Sequence, residues 1–211
     1  MDTDLSTYLV TEEALAVAGD TPAVVEAAVS AGVDVVQLRE KGRSARERYA
    51  IGKAVRDLCT AADVPMLVND RVDLALALDA DGVHLGAADL PVSVARDLLG
   101  PAAIIGRSVT GADAAAAAAS EGADYVGVGA VYETQTKAVD DAQQAVGPDR
   151  IAAITEQVDI PVVGIGGITA AGAPAVIEAG AAGVAVVSAI MAARDPQVAT
   201  RELRAAVAEA R

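Results

Sequence analysis

The stretch Glu26-Ala27-Ala28-Val29-Ser30-Ala31-Gly32-Val33-Asp34-Val35-Val36-Gln37-Leu38 decides the fold. Its first part is alanine-rich with apolar residues at helical spacing, Gly32 stops the helix, and a β-branched run follows at once. The same helix-to-strand junction returns at Gly122-Ala123-Asp124 and at Ala179-Gly180-Ala181-Ala182-Gly183. Working outward, short β-branched runs alternate with amphipathic segments along the whole chain. The spacing predicts strands at Tyr8-Leu9-Val10, Val33 to Leu38, Pro65 to Val68, Gly82 to Leu85, Ala103 to Gly106, Tyr125 to Val128, Pro161 to Gly164 and Gly183 to Val187. It predicts helices near 20–31, 44–62, 71–78, 91–99, 111–120, 149–157, 172–179 and 189–193, and a last one from Pro196 to Ala210. Parallel strands joined by right-handed crossovers follow from this alternation, and eight such units fit a closed single-domain (β/α)8 barrel, a TIM barrel, over residues 1–211. An open doubly wound sheet is the alternative. The longest irregular stretch, Gly129 to Pro148, reads as a binding loop or lid.

Composition narrows the classes of function. The 211 residues include no Trp, no Phe and four Tyr, so the core is aliphatic. Acidic residues outnumber basic ones 30 to 16, a formal charge of −14, which opposes unassisted binding to nucleic acid or to an anionic membrane. The same acidity, with lysine only at Lys41, Lys53 and Lys137, suggests a halophile's protein. A single cysteine, Cys59, makes no internal disulfide and fits a reducing cytoplasm. Met1-Asp2-Thr3-Asp4 lacks the features of a signal peptide, and no apolar run is long enough for a membrane span.

In a barrel of this class the chemistry sits where strands end. Strand two ends Gln37-Leu38-Arg39-Glu40-Lys41, and alternation puts Gln37, Arg39 and Lys41 on one side, with Leu38 and Glu40 on the other. An amide and two cations suit an anion; an exposed loop with an Arg39–Glu40 ion pair is the plainer reading. Strand three ends Val68-Asn69-Asp70, and strand four leads through His84 to Asp89. Two carboxylates on adjacent strand ends can share magnesium, although each could instead cap a helix. His84, the only histidine, reads either as a packed hydrogen-bonded residue or as a base. Ser108 ends strand five without an Asp–His pair, so it is a hydrogen-bonding residue rather than a nucleophile. Thr134, Gln135, Thr136 and Lys137 lie on the long loop, and glycine-rich turns follow strands seven and eight, at Gly164 to Thr169 and Val187-Ser188. Such turns cradle phosphate. A cationic, magnesium-assisted site facing a neutral glycine-rich one points to two phosphorylated substrates and a departing diphosphate.

These segments together resemble the thiamine phosphate synthase (thiamine-phosphate pyrophosphorylase) family over essentially the whole chain. The resemblance rests on Gln37 to Lys41, Val68-Asn69-Asp70, Asp81 to Gly86 with Asp89, Gly106-Arg107-Ser108, Ala123 to Gly129 with Thr134 to Lys137, Val163 to Thr169, and Val187-Ser188. It implies a transferase that joins hydroxymethylpyrimidine diphosphate to hydroxyethylthiazole phosphate, by dissociative loss of diphosphate with magnesium as cofactor. It further implies that Gln37, Leu38, Arg39, Glu40, Lys41, Asn69 and Lys137 hold the pyrimidine diphosphate and that Asp70 and Asp89 bind the metal. Ser108 would contact the pyrimidine, Thr134, Thr136, Gly167, Val187 and Ser188 would hold the thiazole phosphate, and Gln135 would be a further substrate-binding residue. Arg39, Lys41, Ser108 and Lys137 would carry the catalysis. The chain departs from the family pattern at Ala87 (usually Gln), Thr110 (usually His), and Ala130 and Glu133 (usually Pro). A thiazole tautomerase and a non-catalytic thiamine-precursor binding protein are the competing functions. The partners expected are these small molecules, with a homo-oligomer possible.

Overall fold

A computed structural model describes residues 3–134 and 145–211. Eight parallel strands close on themselves in sequence order: β1 (Thr7–Val10), β2 (Val35–Leu38), β3 (Met66–Asn69), β4 (Gly82–Leu85), β5 (Ile104–Val109), β6 (Tyr125–Val128), β7 (Val162–Ile165) and β8 (Gly183–Val186). β8 pairs back onto β1, so no strand edge is left open. Around them lie α1 (Thr21–Ser30), α2 (Ala45–Ala61), α3 (Val72–Ala77), α4 (Val92–Leu99), α5 (Ala112–Ser120), α6 (Gly147–Thr155), α7 (Ala173–Glu178), α8 (Ser188–Met191) and α9 (Pro196–Glu209). The barrel, not the open sheet, is the fold. Among the described residues no helix is long and apolar enough to cross a membrane.

Strand alternation sorts the side chains into two layers. Tyr8, Val10, Val35, Leu67, Tyr125, Val163 and Ala185 fill the barrel interior. Leu9, Val36, Leu38, Val68, Val83, Leu85, Ile105 and Val126 face the helices. Cys59 sits fully buried in that outer layer, where burial and the neighbouring Asp81 push its thiol up to about 12, so it is an inert core residue.

The recurring junction aspartate has a structural reason. Asp34, Asp81 and Asp124 each accept a backbone N–H from the start of the preceding strand, at Thr7 (2.9 Å), Met66 (2.7 Å) and Ile105 (2.7 Å). Arg56 and Arg96 cover Asp81 and Asp124 at 2.6 Å. These contacts lock the lower rim, away from the strand ends that carry chemistry. They also explain why β2 begins at Val35 rather than Val33: Asp34 belongs to the turn. β5, in turn, runs past Gly106 to Val109, pairing Ser108 with Gly127.

Two glycines make room for the large interior rings. A methyl group on Gly106 would stand 2.1 Å from the ring of Tyr125, and one on Gly127 would stand 3.0 Å from His84. Tyr125 is buried and hydrogen-bonded, so its ring cannot swing away. Gly106→Ala is therefore expected to cost about 3 kcal/mol or slightly more, at the upper end of overpacking penalties. A denaturant midpoint within error of the unsubstituted protein would contradict this.

Candidate active site

The segment after β2 does not present one cationic cluster. Arg39 turns toward β1, where its guanidinium donates to Glu12 at 2.6 Å and its backbone N–H donates to Thr11 Oγ1. Lys41 turns the other way and meets Asp70 Oδ2 at 3.0 Å. Gln37 points into the barrel and donates from Nε2 to the Tyr8 hydroxyl at 2.7 Å. The Arg39–Glu40 pair is absent: Glu40 is buried, accepting from the Glu13 N–H and the Thr21 hydroxyl. Leu38 packs in the outer layer. Strand alternation and burial turn the Leu38 and Glu40 side chains away from the mouth, so a part for either in holding the pyrimidine diphosphate would fall to its backbone. Glu12, which orients Arg39, was not evident in the sequence; no spacing pattern joins it to a partner 27 residues on.

Asp70 and Asp89 do come together. Their carboxyl groups lie close enough for each to shift the other's titration, with Asn69 beside Asp70 and Lys41 Nζ on its Oδ2. Neither caps a helix: α3 starts from Arg71 and α4 from Pro91, and neither has a side-chain cap. Asp89 instead closes a turn by accepting from the Gly86 N–H at 2.7 Å. Asp70 adopts φ +63°, a left-handed conformation that carries a cost outside glycine and that aspartate tolerates better than most. Its N–H donates to the His84 carbonyl at 2.8 Å, which ties the end of β3 to β4. Burial pushes both carboxyls upward. In Asp89 the contact with Asp70 adds to that rise, whereas in Asp70 the bonds to Lys41, Asp89 and Asn69 outweigh it and hold the group below its ordinary range.

Two carboxyl groups turned toward one another fit a hard divalent cation such as magnesium. Among the described residues no group of three or more His, Cys, Asp or Glu could hold a metal. A cation here would complete its shell with water and phosphate oxygens. A cleft of about 710 Å³ opens beside the pair, lined in part by Arg71, Leu76, Leu90 and Leu98.

Ser108 lies half-buried at the mouth, and its Oγ is 2.9 Å from His84 Nε2. His84 Nδ1 is 2.9 Å from the Tyr125 hydroxyl, which is 2.8 Å from that of Tyr8. His84 is accordingly a packed, hydrogen-bonded residue. On the opposite side, the segment after β6 is laced to the turn after β7: Val131 N–H donates to the Ile165 carbonyl and Tyr132 N–H to the Gly166 carbonyl, both at 2.9 Å. Gly166 has φ +101°, and a Cβ there would meet Ala130 at 2.7 Å, so only glycine admits this close approach. Gly167 and partly buried Val187 lie on this side with exposed Ser188, and Thr134 ends the described part of the loop. Gln135, Thr136 and Lys137 lie outside the described residues. The remaining lysine, Lys53, only faces Asp57 one turn on along α2.

Comparison with known proteins shows the family. A thiamine-phosphate synthase of Haloarcula marismortui is 57% identical over 209 residues, covering 99% of both chains. One from Haloquadratum walsbyi is 56% identical over 207 residues, covering 98% of this chain and 93% of that one. The solved thiamine phosphate pyrophosphorylase of Pyrococcus furiosus superposes with a TM-score of 0.89 at 40% identity, covering 99% of this chain and 98% of that one. The family model described as thiamine monophosphate synthase matches residues 7–190, and the chain belongs to that family.

Proposed function

We propose that the protein is a magnesium-dependent thiamine-phosphate synthase that condenses hydroxymethylpyrimidine diphosphate with hydroxyethylthiazole phosphate and releases diphosphate. The observation that carries this reading is the contact between Asp70 and Asp89, with Lys41 on Asp70 at 3.0 Å. That pair suits a metal-bridged diphosphate and has no task in a binder of one monophosphate. Asp70 and Asp89 would hold the ion, whose chemistry is to place positive charge against the diphosphate oxygens as they gather negative charge. Arg39, oriented by Glu12, offers a planar fork to the same oxygens. Lys41, half-exposed, can exchange its carboxylate for a phosphate. Lys137 is assigned to this end by family resemblance.

The Gly166-Gly167 turn, with Val187, Ser188 and Thr134, suits the thiazole phosphate, and Thr136 is assigned there by family resemblance alone. The thiazole nitrogen already owns a lone pair, so its attack on the pyrimidine methylene needs no protein base. The commitment of His84 to Tyr125 and Ser108 is compatible with that. A thiazole tautomerase would require acid–base work where this chain has Thr110. At a formal charge of −14 the protein binds such anions by concentrating a few cations at the mouth.

Calorimetry tests the diphosphate end without turnover. Magnesium is expected to tighten binding of hydroxymethylpyrimidine diphosphate by at least about tenfold, or 1.4 kcal/mol, with the gain lost on chelation. Equal affinity with and without magnesium would remove the ion from the site.

A further inference from the structure

We propose that Gln37, Tyr8, Tyr125, His84 and Ser108 form a one-way hydrogen-bond chain across the barrel, which fixes His84 as its Nε2–H tautomer and reserves the Ser108 proton for the mouth. The chain links four strands and the far end of β2 through contacts of 2.7, 2.8, 2.9 and 2.9 Å. Its direction is set at one end. Gln37 Nε2 can only donate, so the Tyr8 oxygen accepts there and its own hydroxyl hydrogen is the one available for Tyr125. The Tyr125 oxygen then accepts that hydrogen bond, and its own hydroxyl donates to His84 Nδ1. With Nδ1 accepting, a neutral imidazole carries its hydrogen on Nε2 and donates it to Ser108 Oγ.

The surroundings keep this order intact. Both tyrosines are about 1% exposed, and burial raises their phenols well above the ordinary range, so each remains a neutral hydroxyl with one proton to give. Gly106 and Gly127 supply the space in which the Tyr125 and His84 rings lie close together, with centroids 5.5 Å apart. Had the chain run the other way, Ser108 would spend its proton on His84 and could only accept from a ligand. As it runs, the atom that Ser108 serves is a lone-pair acceptor. Given the proposed function, on which this last step rests, that atom belongs to the aminopyrimidine substrate. Tyr8, Tyr125 and His84 are then positioning residues, acting through Ser108, with Gln37 setting the direction from the head of the chain.

His84 is the only histidine, so nitrogen NMR of protein labelled with [15N]histidine reads its tautomer without assignment. In the substrate-free protein the hydrogen is expected on Nε2 alone. Gln37→Glu, titrated upward until its buried carboxyl ionises, places an acceptor-only carboxylate at the head of the chain and is expected to reverse every link, moving the hydrogen to Nδ1. A hydrogen on Nδ1 in the unsubstituted protein, hydrogens on both nitrogens, or an unchanged Nε2–H signal in folded Gln37→Glu would each overturn the proposal. The unsubstituted protein suffices if the variant does not fold. Because no substrate is present, this outcome is independent of whether the proposed reaction holds.

Discussion

Asp70→Asn is expected to lower kcat by about a thousandfold while leaving the barrel intact, the upper range for losing one preorganised electrostatic element. The substitution keeps the shape of the side chain and its tolerance of a left-handed backbone, but removes the charge that faces Asp89 and Lys41. Asp70→Ala should lose at least as much activity, and its stability should fall by a further ~1 kcal/mol because alanine is strained at φ +63°. Comparing the two separates charge from conformation. Raising magnesium should not rescue either variant. Asp89→Asn should also be severe, and the double variant little worse than either single one, since the two carboxyls act as a unit. Steady-state kinetics with a thermal unfolding control decides the matter. Near-normal turnover in folded Asp70→Asn would take Asp70 out of the metal site.

Arg39→Ala is expected to reduce kcat/KM by a few hundredfold, on the order of 3 kcal/mol of transition-state stabilisation. The guanidinium is only 15% exposed and is held at 2.6 Å from Glu12, so little of the loss can be recovered by a neighbouring side chain. Arg39→Lys should restore a minor part, because a point charge cannot reproduce the planar fork. Glu12→Gln keeps a hydrogen-bonding partner and removes the orienting charge; about a tenfold loss is expected, smaller than that of Arg39→Ala. If Arg39→Lys were fully active, Arg39 would contribute charge alone. If Glu12→Gln were as damaging as Arg39→Ala, Glu12 would itself touch the substrate.

The barrel was legible because a short β-branched run gives way to an amphipathic stretch again and again along the chain, with Gly32, Gly122 and Gly180 stopping three of the helices. β4 and β6 fall where the sequence places them, at Gly82–Leu85 and Tyr125–Val128. The boundary errors have a local cause. Asp34 looks like part of a strand but serves the turn, and the β-branched run that marks strand five stops at Gly106 although pairing of Ser108 with Gly127 carries β5 further.

The site was legible where single residues end strands, as at Asp70, Asp89 and Ser108. Their mutual contacts were not, because they depend on loops whose course no periodicity encodes. Arg39 and Lys41, two residues apart, diverge once the strand stops at Leu38. The interior chain was hidden more deeply: Tyr8 and Tyr125 are separated by 117 residues and meet only because the barrel closes. A faint signal existed. In a chain with four tyrosines, two sit at inward-facing strand positions, and Gly106 and Gly127, also inward-facing, leave them and His84 the space.

The central claim is a condensation that releases diphosphate under magnesium. Its most direct measurement is to incubate the purified protein with hydroxymethylpyrimidine diphosphate and hydroxyethylthiazole phosphate, with magnesium or with a chelator, in both low and high salt. Thiamine phosphate and diphosphate are expected in equal amounts, only when magnesium and both substrates are present. No product in either salt condition, or undiminished product in the presence of chelator, would contradict the account.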